Sequence, residues 1–183
     1  MIKHLIFTGD THGGMATISR ISNIQRNMPE YKPEDTAIVI LGDSGLNFWL
    51  NNTDKKYKKL LNSMGYHIYC VRGNHEQRPN LVKNMTQVED ENVGNIVWME
   101  EAFPNIRYFI DGNIYDLCGY SALGIGGAYS VDKWYRLARA GYAPEEAEIA
   151  DPKKCGWFKD ECLTYEEMKE ISESIYGKSV DFI

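Results

Sequence analysis

Apolar runs and amphipathic stretches alternate through the first half of the chain. Leu5-Ile6-Phe7 is apolar and flanked by turn formers, Ala37-Ile38-Val39-Ile40-Leu41 is a continuous apolar run, and residues 68–71 make a third; each predicts a buried strand. Within residues 15–28, Met15, Ile18, Ile21 and Ile24 fall about three apart, the spacing of one helix face. Residues 55–64 read as a second helix. Strand and helix in alternation predict a parallel sheet with crossover helices.

The second half has a different rhythm. Residues 95–99, 106–110, 113–118 and 121–125 are short strand candidates separated by Pro, Asn and Gly, which predicts an antiparallel meander added to the sheet. A helical piece follows around Trp134-Tyr135-Arg136, its aromatics expected in core or lid packing, and then an acidic, loop-like stretch over 143–160. Thr164-Tyr165-Glu166-Glu167 is a capping box that opens a helix with Tyr165, Met168, Ile171 and Ile175 on one face, and Gly177 is its expected stop. Val180-Asp181-Phe182-Ile183 reads as the beginning of a strand.

Composition narrows the class. With 183 residues, 43% hydrophobic and 25% charged, the chain suits one globular domain over 1–183 with its own core. A net charge of −6 without a clustered basic stripe argues against a nucleic-acid partner. The densest basic run, Lys55-Lys56-Tyr57-Lys58-Lys59, reads as a solvated helix face. Cys70, Cys118, Cys155 and Cys162 show no CxxC spacing, as expected of reduced thiols. No leader pattern and no membrane-length apolar stretch is present, so the expectation is a cytoplasmic chain with no membrane partner. The triplets Asn51-Asn52-Thr53 and Asn84-Met85-Thr86 are then chance matches to the glycosylation pattern.

Chemistry concentrates where the first three strands end. They run into Gly9-Asp10-Thr11-His12-Gly13-Gly14, Gly42-Asp43-Ser44-Gly45 and Gly73-Asn74-His75-Glu76. In an open parallel sheet the carboxyl ends of the strands share one edge, so Asp10, His12, Asp43, Asn74 and His75 are expected to converge there. Carboxylate, amide and imidazole donors suit divalent ions such as Mn²⁺, Fe²⁺ or Zn²⁺. Asp10 and His12, two apart on an extended segment, are expected to point the same way.

The blocks GDTHGG, LGDSG and RGNHE, in that order, resemble the calcineurin-like metallophosphoesterases. The resemblance implies an α/β fold, a metallophosphoesterase-like sheet sandwich flanked by helices. It implies a small phosphoester substrate: a phosphomonoester, phosphodiester or nucleotide hydrolysed by two-metal hydroxide attack. Asp10 and His12 would hold the first metal, Asp43 would bridge both, Asn74 would bind the second, and His75 would protonate the leaving group. A complete site would hold two divalent ions, of Mn, Fe or Zn. The glycine-rich segment over 126–132 looks like one that many members carry, and no catalytic role is assigned to it.

The chain also departs from the family pattern, which continues with a further histidine and a GHxH block. Here His4, His12, His67 and His75 all lie at or before position 75. The expectation is therefore a domain truncated at its C-terminal end, binding one metal moderately and the second poorly, with weak or no hydrolysis. An uncovered sheet edge or apolar face would favour self-association. Two other functions stay open: a nuclease of the same superfamily, and a catalytically dead metal-binding or interaction module. Protein phosphatases of the superfamily place an arginine shortly after GD, where this chain has Gly45-Leu46-Asn47-Phe48.

Neighbouring residues carry paired readings. Arg72 meets a substrate phosphate or forms a structural ion pair. Asn47, Phe48 and Trp49 make a substrate wall or pack under the loop. Glu76 orients the imidazole or has a helix-start or surface role. The stretch 124–130 is a turn, since it lacks the GK[ST] ending of a P-loop.

Overall fold

A computed structural model of the chain describes residues 2–12 and 14–183; Met1, and Gly13 of the first glycine-rich block, lie outside the described residues. β1 (His4–Gly9), α1 (Gly14–Asn27), β2 (Thr36–Leu41), α2 (Asn52–Asn62) and β3 (His67–Val71) follow the predicted alternation. β4 (Met85–Asp90), β5 (Asn95–Glu100), β6 (Ile106–Tyr108), β7 (Ile114–Leu117) and β8 (Tyr120–Leu123) come next, then α3 (Lys133–Arg139), α4 (Pro152–Cys155) and α5 (Tyr165–Ile175). A six-stranded mixed sheet runs in the order β1-β2-β3-β6-β5-β4, parallel through β6 and antiparallel beyond it.

The expected meander is corrected in two ways. β6 joins β3 in parallel, and β7 with β8 forms a separate two-stranded sheet. β4 was not foreseen, because its sequence MTQVED carries few apolar residues; an edge strand pairs through its backbone and needs little burial.

Two packed layers explain the unbroken apolar run in β2. Ile38 and Ile40 sit in one core with Ile21 of α1 and Leu61 of α2, while Ala37 and Val39 sit in a second core with Tyr115, Leu117 and Ala122 of the small sheet. A strand covered on both faces has no polar side to show. Near the small sheet, Phe182 bridges Ala122 in parallel, and Phe7, Leu41, Phe182 and Ile183 border an apolar cavity of about 270 Å³. These four side chains remain exposed.

Helix ends follow local chemistry. The Asn51 side chain caps α2 by accepting from Thr53 N at 2.7 Å, which gives the Asn-Asn-Thr triplet a structural use. The basic run on α2 is a solvated face except at Lys58, which is buried and paired with Glu100 of β5. The stretch 143–160 folds into a 3-10 turn over Pro144–Ile149 and then α4, and Ala147, Cys155 and Trp157 pack against Leu137 of α3. Among the described residues, no helix is long and apolar enough to cross a membrane.

α5 is pinned at its start by Arg78. The guanidinium donates to Glu167 Oε1 at 2.5 Å and to the carbonyls of Asp160 and Cys162 at 2.7 and 2.6 Å. The capping box is complete, with Glu167 N donating to Thr164 Oγ1 and Thr164 N to Glu167 Oε2. Hydrogen bonding from Arg78 holds the Glu167 carboxyl down at about 2, against an ordinary 4.5. A depressed carboxyl means the unfolded chain binds the proton more readily, so this stabilisation is full above 4.5 and is lost as pH falls through about 2. Protection factors of the α5 amides, taken against the intrinsic exchange rate at each pH, should fall as pH drops across that window. In an R78A chain α5 should exchange fast at every pH, and retained protection there would overturn the assignment.

Candidate metal centre

Strand register brings the three loops together. Gly9 pairs with Leu41 and Leu41 with Val71, so the chain leaves all three strands side by side at the carboxyl edge. Gly42 has φ +76° as the second loop turns away, and its N–H donates to Val71 O at 3.1 Å. A Cβ on Gly73 would collide with the Oδ1 and backbone nitrogen of Asp43, so glycine is what lets the third loop pass against the second.

The backbone of the candidate ligands is unusual. Asp10, His12 and Asp43 have φ of 51°, 46° and 49°, in the left-handed region. Such conformations cost about 1 kcal/mol or more each and persist where the surroundings enforce them. Asp10 and His12 are therefore not on an extended segment as expected, yet the double left-handed turn still joins them: His12 Nε2 lies 2.5 Å from Asp10 Oδ1.

His12, Asp43 and His75 each offer a ligand atom, and these atoms lie within 4.8 Å of one another. His12 Nδ1 is 3.8 Å from Asp43 Oδ2, and Asp43 Oδ1 accepts from the backbone N–H of His75 at 3.0 Å. The two imidazoles meet edge to face, 4.8 Å between centroids. Asp43 is buried just past the end of the middle strand, and the loops that carry His12 and His75 follow the strands on either side. Asn74 donates its amide NH₂ to Ser130 Oγ at 2.9 Å, which leaves its carbonyl oxygen as the atom to bind a cation. A cavity of about 90 Å³ opens here, bordered by His12, Asp43, Gly45, His75, Phe48 and Trp49. Phe48 and Trp49 thus wall the cavity, while Asn47 is buried beneath the loop.

Several supporting residues were missed in sequence. Thr11 Oγ1 donates to the Asp43 carbonyl at 2.9 Å and lies 2.7 Å from Thr17 Oγ1, which reaches the Ser44 carbonyl at 3.0 Å. Buried Glu161 receives the Ser130 amide at 2.9 Å and the Ser130 hydroxyl, and so fixes the partner of Asn74. Arg136 Nη2 sits 3.1 and 3.0 Å from the two ring nitrogens of His75, placed to donate to whichever lacks a proton. Its Nε donates to Asp132 Oδ2 at 2.7 Å and its Nη1 to Gly156 O at 2.6 Å. Thr11 lies inside the first motif and carried a faint signal; Ser130, Arg136 and Glu161 are distant in sequence and carried none.

Two expectations resolve on burial. Arg72 is structural: it donates to Glu161 O, Gly126 O and Asp111 Oδ2 at 2.7, 3.0 and 3.2 Å, and the glycine-rich segment is packed against it. Glu76 neither orients the imidazole nor lies at the surface. It is buried, with Oε2 accepting from Ser44 Oγ at 2.7 Å and Oε1 from Gly73 N at 2.9 Å, tying the second loop to the third. Burial raises the Glu76 pKa, against the two hydrogen bonds that favour the charged form. Burial also lowers the His75 pKa, with Asp43 opposing and Arg136 and His12 reinforcing the shift. The Asp132 carboxyl lies below its ordinary value; burial acts upward there, and the Arg136 hydrogen bond and charge outweigh it.

An α/β sheet that gathers two imidazoles and a buried carboxylate at the ends of its parallel strands has the donor set of a divalent-metal protein. A family model for calcineurin-like phosphoesterases matches residues 3–173, and the chain belongs to that family. Membership supports metal-dependent phosphoester hydrolysis as its general chemistry. No curated protein and no solved structure matches the chain significantly.

Replacing Glu76 by alanine strands the Ser44 hydroxyl and the Gly73 amide in a buried pocket, at a cost of about 1–3 kcal/mol. The E76A chain should melt earlier and bind Mn²⁺ about 10- to 100-fold more weakly, because both ligand loops lose their brace. Unchanged melting and Mn²⁺ titration would refute the bracing role.

Proposed function

We propose that the chain is a hydrolase of small phosphoesters, acting on a phosphomonoester, phosphodiester or nucleotide with divalent ions held by Asp10, His12, Asp43 and Asn74. The observation that carries this reading is the convergence of His12, Asp43 and His75 within 4.8 Å at the edge where three parallel strands end. The donors fit a borderline ion such as Mn²⁺, Fe²⁺ or Zn²⁺. A divalent ion bound here supplies Lewis acidity toward the phosphoryl group and lowers the pKa of the attacking water.

The chain's own residues do the rest. Asp43, on the middle loop, turns one carboxylate oxygen to the His12 ring and the other to the backbone N–H of His75, so it is positioned to serve both sides of the centre. His75 moves the leaving-group proton, and Arg136 holds its ring in place from the far side. Phe48 and Trp49 exclude water from one wall. The same cluster favours a second reading, in which His75 is itself a ligand.

D43N should cut p-nitrophenyl phosphate hydrolysis about a hundredfold or more and reduce bound Mn²⁺. H75N separates the two readings of His75. A proton carrier leaves metal content intact while kcat falls about 10²–10⁴-fold, whereas a ligand loses metal with activity. Full activity in both variants would sink the assignment of the site.

The exposed strip of Phe7, Leu41, Phe182 and Ile183, beside edge strand β1, supports pairing between copies of the chain. Sedimentation velocity at rising concentration should show a growing dimer that F7T with L41T weakens. A strictly monomeric profile would count against it.

A further inference from the structure

Beyond Phe48 and Trp49, which form a shared wall, a second cavity of about 440 Å³ adjoins the metal centre, a size typical of small-molecule sites. Arg136 and Arg139 of α3 and Lys153 and Lys154 of α4 line it, against one carboxylate, Asp132. That carboxylate is engaged by Arg136 Nε, and the rest of the Arg136 guanidinium is held by Gly156 O and His75. Among the described residues, Arg139, Lys153 and Lys154 have no carboxylate within ion-pair distance. Unpaired lysines are ordinary on a convex surface. These three cations instead ring a concave space that opens beside the candidate reaction centre, in a chain whose net charge is −6.

We infer that this cavity is an anion subsite for the portion of the substrate beyond the scissile bond, and that the preferred substrates carry a second phosphate or a phosphate chain. The inference rests on the phosphoesterase reading and sharpens it to a substrate class. Arg139 offers a planar fork matched to phosphate oxygens, and the two lysines add mobile point charges. Half-exposed Trp49 borders both cavities and gives a flat surface for a ring attached to the chain of phosphates.

Inorganic tripolyphosphate binding to metal-free protein, followed by tryptophan fluorescence, tests the subsite apart from catalysis. Hydrolysis of ATP and of p-nitrophenyl phosphate with Mn²⁺ tests it during turnover. In R139A/K154A, and in K154E as a second variant, tripolyphosphate affinity should fall about tenfold and KM for ATP should rise alike. Both constants for p-nitrophenyl phosphate should stay unchanged. Equal tripolyphosphate affinity in variants and native chain, or a loss shared by p-nitrophenyl phosphate, overturns the inference. Variant-sensitive tripolyphosphate binding without hydrolysis of either ester keeps the subsite and removes the phosphoesterase reading; hydrolysis of both esters without any variant effect does the reverse. Tighter binding of ATP than of tripolyphosphate names a nucleotide as the source of the phosphates, and the opposite order names inorganic polyphosphate; either supports the subsite.

Discussion

The Asp43 carboxylate is where the three loops of the centre meet. It closes the middle of three parallel strands, one oxygen receives the backbone N–H of His75, and the other faces the His12 ring. A buried carboxylate is tolerable only with donors or a cation around it. Its neighbours are accordingly committed to supplying them. Gly73 gives way so that the third loop can reach it, and Thr11 holds its carbonyl from the first.

Around that point the fold uses buried polar groups as braces. Glu76 ties the second loop to the third, Glu161 and Ser130 fix Asn74, and Asp132 with Gly156 O fixes the Arg136 that faces His75. Each brace comes from a different part of the chain. Removing one leaves its partners unsatisfied in a low-dielectric interior, which is why such networks hold geometry more tightly than their net energies suggest. The left-handed backbone at Asp10, His12 and Asp43 is held in this frame.

Placement of the cations then divides the surface into regions with different uses. Arg72 and Arg78 are spent on carbonyls and carboxylates inside the fold, and Lys58 on Glu100. Arg139, Lys153 and Lys154 are left beside the centre. An acidic chain keeps a local positive concavity in this way, and field focusing in a cleft depends on local charge more than on the net value.

Much of this was written locally. The unbroken apolar run of β2, the three-residue spacing of α1 and the Thr164 capping box each specify their element through nearest neighbours, and the glycine-led loops name the donor atoms. Pairing was not local. β6 joined β3 in parallel, β4 formed with almost no apolar signal, and the small sheet covered the second face, because those outcomes depend on which surfaces remain to be buried once the chain has collapsed. The same holds at the centre: residue types indicated metal chemistry among Asp10, His12, Asp43, Asn74 and His75, and the family resemblance divided them into four ligands and an acid. The partners of His75 and Asn74 lie 61 and 56 residues away in the chain, at a separation where only packing sets contact. Sequence by itself determined the first three strands, the loops that follow them and their donors; tertiary structure decided what faces them, since hydrogen bonds and ion pairs act over a few ångströms of space and take no account of position along the chain.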